Sequence, residues 1–173
     1  MYKEFGKFAP FVNLLNSLTL DDWKWMIDFY NQTGAKAKAA GITFGYHNHN
    51  FEFKKLDGVR PYDLLIEQTD PQLVSFELDC GWMISAGVDP VDYLTRHPDR
   101  YRLLHIKDLA KEQPPGGGKT TEVGGGAIDW TRIFNAAKKT KVAGYYVEQE
   151  PPFERPQLES ARISYDYPHK LKI

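Results

Sequence analysis

The sequence predicts an α/β fold in which parallel strands are joined by helices. Two observations carry this expectation. Four short β-branched and aromatic runs recur along the chain, and between them stand segments with helix start and stop signals. Alternation of this kind implies right-handed crossovers and parallel pairing, and it argues against a sandwich or a bundle. With 173 residues, 42% of them hydrophobic, there is material for one domain with a real core.

Taken in order, Thr19-Leu-Asp-Asp22 has the hydroxyl-x-x-acid spacing of a helix N-terminus, so a helix is expected from there to about Ala40, where Gly41 stops it. Ile42 to His47 follows as a short buried strand. Pro61 opens a helix over Tyr62 to Gln68. Then come a strand at Leu73 to Asp79, a helix at Pro90 to Arg96 and a strand at Tyr101 to Ile106. A helix from Trp130 to Lys139 and a strand from Tyr145 to Glu148 complete the series. The connection Ala110 to Ala127 holds six glycines and two prolines and reads as a loop with little structure of its own. Its Gly116-Gly-Gly-Lys-Thr120 falls short of a phosphate-binding loop, because Gln113 stands where the first glycine is required.

Charge and composition narrow the function. Lys plus Arg number 22 against 23 Asp plus Glu, a net charge of -1, so no global field draws in a polyanion and no nucleic-acid partner is expected. Cys80 is the single cysteine, which removes a disulfide framework and a thiolate zinc cluster; inert burial is its expected state. No apolar run approaches the roughly 18 residues of a membrane span, and the opening Met1 to Gly6 lacks the order of a signal peptide. The chain as given therefore reads as cytoplasmic with no membrane partner; an upstream targeting segment would be invisible.

Each predicted strand ends at a metal-competent side chain: His47, Asp79, His105 and Glu148. In a parallel α/β sheet the C-terminal strand ends share one face, so these four converge despite their separation in sequence. Imidazole with carboxylate suits Mn, Zn, Fe, Co or Ni better than Ca. His49, two residues after His47, is open to a role as ligand, base or substrate contact. Lys107 is aimed at the site by its spacing from His105, to stabilise an oxyanion or else to pair with Asp108. Glu150 stands beside Glu148, and Trp82 can wall a sugar ring. Glu52, in a loop, and Glu77, which falls on the helix-packing face if Asp79 reaches the site only through its terminal twist, are weaker candidates.

Gly45-Tyr-His-Asn-His-Asn-Phe-Glu-Phe53, Phe76-Glu-Leu-Asp-Cys-Gly-Trp82, Leu104-His-Ile-Lys-Asp108, Glu122-Val-Gly-Gly-Gly-Ala-Ile-Asp-Trp130 and Val147-Glu-Gln-Glu150 resemble the sugar phosphate isomerase/epimerase family of xylose isomerase-like TIM barrels. The resemblance runs from about Leu18 to Leu171. It implies one divalent ion, Mn, Zn, Co, Fe or Mg, held by His47, Asp79, His105 and Glu148. His47 stands where the epimerases have a glutamate, and Gly125 where relatives often have Glu; Pro168 should end or kink the terminal helix. A complete barrel takes roughly 250 residues and eight strands. The chain therefore reads as a partial (β/α) barrel carrying strands five to eight, with residues 1–17 as an N-terminal extension and 18–173 as a single half-barrel domain. The implied activity is isomerase or epimerase chemistry, or dehydration, on a small carbohydrate or cyclitol. The metal would chelate a carbonyl and a neighbouring hydroxyl, Glu148 with His47 or His49 would move the proton, and Lys107 would polarise oxygen. His49, Trp82 and Glu150 would contact substrate. The alternatives are a phosphodiester hydrolase like endonuclease IV, which needs more metal ligands and a basic groove, and a non-catalytic half-barrel module. Open edges, and an inner face expected to carry Phe44, Phe76, Leu78, Leu104 and Tyr146, would drive self-association or pairing with an N-terminal half.

Overall fold

Thr19 starts the long helix as its spacing demands: its hydroxyl accepts from the Asp22 amide at 3.2 Å, and the Asp22 carboxylate accepts from the Thr19 amide at 2.8 Å. The computed structural model describes residues 9–114 and 117–171; the opening Met1 to Gly6 and Gly116 lie outside the described residues. In chain order the elements are α1 (Ala9–Ser17), α2 (Leu20–Ala39), β1 (Phe44–His47), a 3-10 turn (Phe51–Phe53), α3 (Pro61–Gln68), β2 (Val74–Asp79), α4 (Cys80–Ser85) and α5 (Pro90–Arg96). They continue with β3 (Tyr101–Ile106), β4 (Asp108–Leu109), β5 (Thr120–Thr121), α6 (Trp130–Ala137), β6 (Gly144–Val147) and α7 (Gln157–Lys170). Gly41, at φ 75°, takes the left-handed position that closes α2.

The chain divides into two units. One, described over residues 9–44 with 51–74, is mainly helical. Trp23, Ile27, Phe53, Tyr62, Leu65 and Ile66 are buried in it, and the Phe53 and Tyr62 rings lie 4.6 Å apart. Gly34 packs so closely on the Leu73 carbonyl that a Cβ would collide with it. Glu52, read from sequence as a loop residue, is buried in the 3-10 turn.

The other unit, residues 45–50 with 75–173, holds the body of the sheet. Strand order is β1-β2-β3-β6, and β3 pairs in parallel with both β2 and β6, so consecutive strands lie side by side with flanking helices, as a partial (β/α) barrel requires. Register aligns Asp79 with His105 and His105 with Tyr146, which brings the C-terminal strand ends level. Aspartates start the helices that follow: Asp79 accepts from the Trp82 amide, Asp89 from Val91 and Asp129 from Arg132, at 2.8 to 3.0 Å.

Three expectations change. The connection from Ala110 is not structureless, for β4 and β5 form an antiparallel pair, and the Gln113 side chain bonds both the amide and the carbonyl of Lys119 at 2.9 Å. The terminal helix does not stop at Pro168 but continues to Lys170. Finally, Phe76, Leu78 and Leu104, expected on the inner face, are at most 1% exposed and lie on the opposite face of the sheet. The reason is the side-chain period of two: a residue one step from Asp79 or His105 points away from them. Phe44 likewise packs its ring on Tyr30 of α2, 5.8 Å away. Tyr146, aligned with His105, is 59% exposed. No helix among the described residues is long and apolar enough to cross a membrane.

Candidate metal centre

Three of the four strand-end residues converge tightly. His47, Asp79 and His105 each offer one ligand atom, and these atoms lie within 4.8 Å of one another. Asp79 Oδ2 is the hub, 3.3 Å from His105 Nδ1 and 3.6 Å from His47 Nε2. Ligands bonded to one ion at about 2.0–2.2 Å stand roughly 3–4 Å apart, a range that the two Asp79 distances meet, while the widest separation in the set, up to 4.8 Å, would have to contract slightly around an ion. Asp79 Oδ2 and His105 Nδ1 are both buried, and neither makes a hydrogen bond of proper geometry. Buried polar atoms are normally satisfied, so two that face each other unsatisfied within a nitrogen and oxygen donor set mark a place suited to a cation.

Glu148 sits at the rim of this cluster. Its Oε2 is 3.8 Å from His105 Nδ1 but 2.6 Å from the Lys107 ammonium. Register explains the difference: His105 aligns with Tyr146, so Glu148, two residues further along, comes level with Lys107. Lys107 is 2% exposed and is gripped by Glu148, by Glu150 at 2.7 Å and, at 3.6 Å, by Asp79 Oδ2; it does not pair with Asp108. The ammonium also lies 4.4 Å from the centre of the Trp82 ring, so one face of the indole expected to wall a sugar is already covered. The His49 ring stands 5.2 Å from His47 and 5.9 Å from Trp82, beside the cluster.

The electrostatics follow from this crowding. Burial pulls the Lys107 ammonium down, but Asp79, Glu148 and Glu150 outweigh it and hold its pKa above the ordinary value. Burial likewise opposes charge on His105, and the carboxylates of Asp79, Glu148 and Glu77 reverse the balance, leaving it raised. His49 goes the other way: burial first, then His47 and Lys107, lower it, outweighing Asp79 and Glu150. The Cys80 thiol, buried beside Asp79, is pushed well up and is not a nucleophile.

The roles of three residues in this region differ from, or go beyond, the sequence reading. Glu77 does not face the helices; its Oε2 lies 2.9 Å from His47 Nδ1, as the shared parity with Asp79 requires. Asn48, fully buried, grips the Asp79 backbone, accepting from its amide at 2.9 Å and donating to its carbonyl at 3.2 Å. Asp108, also fully buried, accepts from the amides of Leu109, Gly124, Gly126 and Ile128 and from the Trp130 indole. That nest orders the glycine-rich segment, and its sequence signal was the aspartate preceding three consecutive glycines at a distance.

Residues 7–167 match the xylose isomerase-like TIM barrel family model. The chain belongs to this family. It is 30% identical over 154 residues to an inosose dehydratase of Geobacillus thermodenitrificans, a match covering 80% of this chain and 51% of that protein. To the inosose dehydratase of Halalkalibacterium halodurans it is 31% identical over 154 residues, covering 80% and 50%. The crystal structure of a sugar phosphate isomerase/epimerase from Parabacteroides distasonis superposes with a TM-score of 0.79 at 31% identity, over 89% of this chain and 56% of that one. The chain thus spans about half the length of the curated relatives it matches.

Proposed function

We propose that this chain carries the metal-binding and proton-transferring side of an active site that acts on a keto-cyclitol or keto-sugar, removing the proton from the carbon beside the carbonyl. The observation that carries the reading is the pair of unsatisfied buried atoms, Asp79 Oδ2 and His105 Nδ1, with His47 beside them and the Lys107–Glu148 pair at the rim. His47, Asp79 and His105 would hold one divalent ion, Mn, Zn, Co, Fe or Mg, which when bound would supply Lewis-acid polarisation of the substrate carbonyl.

The remaining chemistry belongs to the chain's own groups. Glu148 presents a 39% exposed side chain on the open face and takes the carbon-bound proton. Lys107, its charge secured by three carboxylates, donates to the oxygen on which negative charge develops. His49 is placed to take a proton from a substrate hydroxyl, and Glu150 with Trp82 orients the ring. Loss of a β-hydroxyl as water, with Glu148 handing the proton it has taken to the departing oxygen, gives dehydration, and return of that proton to carbon gives epimerisation or isomerisation. The dehydratase outcome is preferred because the relatives that match at 30–31% are inosose dehydratases. The far side of the substrate would meet a further half-barrel, from a second copy or an N-terminal half, docked along the outer strands β1 and β6.

The test is proton exchange. The manganese-loaded chain, incubated with inosose in D2O and followed by NMR, is expected to introduce deuterium beside the carbonyl or to eliminate water, and Glu148→Gln to do neither. Exchange or elimination that proceeds equally in Glu148→Gln, or that does not depend on the metal, would contradict the proposal.

A further inference from the structure

We infer that Glu77 is a positioning residue for the metal centre, fixing the tautomer and orientation of His47. A histidine offers a ligand atom only where a ring nitrogen keeps its lone pair, and which nitrogen does so is decided by the hydrogen bond the other one makes. Here the two nitrogens of His47 face different partners: Nδ1 is 2.9 Å from Glu77 Oε2, and Nε2 is 3.6 Å from Asp79 Oδ2. A carboxylate oxygen within hydrogen-bond distance of a ring nitrogen acts as the acceptor, so the 2.9 Å Glu77 contact assigns the proton to Nδ1. The lone pair of the neutral ring is thereby placed on Nε2, the nitrogen aimed at the cluster.

The fold brings Glu77 there by two devices. Side-chain alternation along β2 puts Glu77 on the same face as Asp79, and β2 neighbours β1, which ends at His47. The β2–β3 register also shifts between Phe76 and Glu77, and an irregularity of this kind re-aims the side chains that follow it. The consequence is specific to the histidine at this strand end: a directly ligating carboxylate needs no partner to choose its tautomer, whereas His47 does.

This inference rests on His47 being a ligand, so the experiment reads the two separately. In the metal-free chain with 15N-labelled histidine at about pH 8, above the ordinary imidazole range, long-range proton–nitrogen NMR should show His47 protonated at Nδ1 and bare at Nε2. Zinc affinity, measured against a chromophoric chelator, should fall about 10–100-fold in Glu77→Met, and the His47 signals should shift toward a mixture of tautomers. Glu77→Gln keeps an acceptor oxygen and should retain both the Nδ1–H signature and zinc affinity to within about tenfold of wild type. Unchanged zinc affinity with unchanged His47 signals in Glu77→Met would overturn the inference. So would an equal loss in both variants, which would assign the effect to charge and not to the hydrogen bond. A wild-type chain that takes up no zinc would instead overturn the metal reading, leaving the tautomer measurement to judge Glu77.

Discussion

Asp79 and Asp108 are both fully buried, and their surroundings could hardly differ more. Asp108 is satisfied on both oxygens: Leu109 and Ile128 donate to Oδ1, and Gly124, Gly126 and Trp130 donate to Oδ2. Asp79 spends Oδ1 on the Trp82 amide and leaves Oδ2 without a hydrogen bond, facing His47, His105 and Lys107. A carboxylate surrounded by backbone donors is a fastener for the chain. One that leaves an oxygen without a hydrogen bond among imidazoles has a position open to a cation, and the nearby Lys107 ammonium offsets part of the cost of burying it. Burial alone does not separate structural from chemical acids; the census of donors does.

The comparison breaks most visibly at Asp108. Asp108→Ala would orphan four amides and an indole N–H at once, and with about 1–3 kcal/mol for each buried group left unpaired, a loss of at least about 3 kcal/mol is expected in urea denaturation. In the same experiment, metal-free Asp79→Asn should change stability by less than about 1 kcal/mol, since the Trp82 cap survives. Similar losses at both positions would erase the distinction.

A finer version uses Glu122, which accepts from Ser160 at 2.7 Å, Thr121 at 3.0 Å and Arg155 at 3.1 Å. Burial raises this carboxyl, but the hydrogen bonds from Ser160, the backbone and Thr121, together with the Arg155 charge, outweigh burial and leave it lowered. A carboxyl depressed in the folded state contributes stability that is complete above the unfolded range, near about 4.3, and that disappears as pH falls through the folded value. Glu122→Gln should therefore cost about 1–2 kcal/mol at neutral pH, and the gap to wild type should close on acidification below about pH 4. A gap that stays constant with pH would place Glu122 outside this class of charged fasteners.

The regular elements were legible because their signals are local. The capping box at Thr19 and Asp22, Pro61 and Pro90 at the first turns of α3 and α5, and the aromatic run of β3 each specify their element without reference to the rest of the chain. Helix α4 was missed because its start signal is Asp79, a residue whose strand-end position had already drawn a chemical reading; it serves as cap with one oxygen and faces the cluster with the other. The β4–β5 hairpin was missed because its organiser, Asp108, lies 16 residues before the first glycine it binds. At the site, His47, Asp79 and His105 could be placed by strand ends alone. Glu148 could not be placed finely, since the β3–β6 register decides whether it meets His105 or Lys107. Glu77 was assigned to the wrong face, although alternation from Asp79 already argued for the right one.

The most direct test of the account is calorimetric titration of the metal-free chain with zinc, run beside Asp79→Asn. The arrangement of His47, Asp79 and His105 predicts one ion per chain, and it predicts that Asp79→Asn, with its fold intact by circular dichroism, loses affinity by at least about 100-fold, more than the usual cost of removing a residue that only supports a ligand. Absence of zinc uptake by the wild-type chain, or equal affinity in Asp79→Asn, would contradict the claim that the unsatisfied oxygen of Asp79 marks a metal centre.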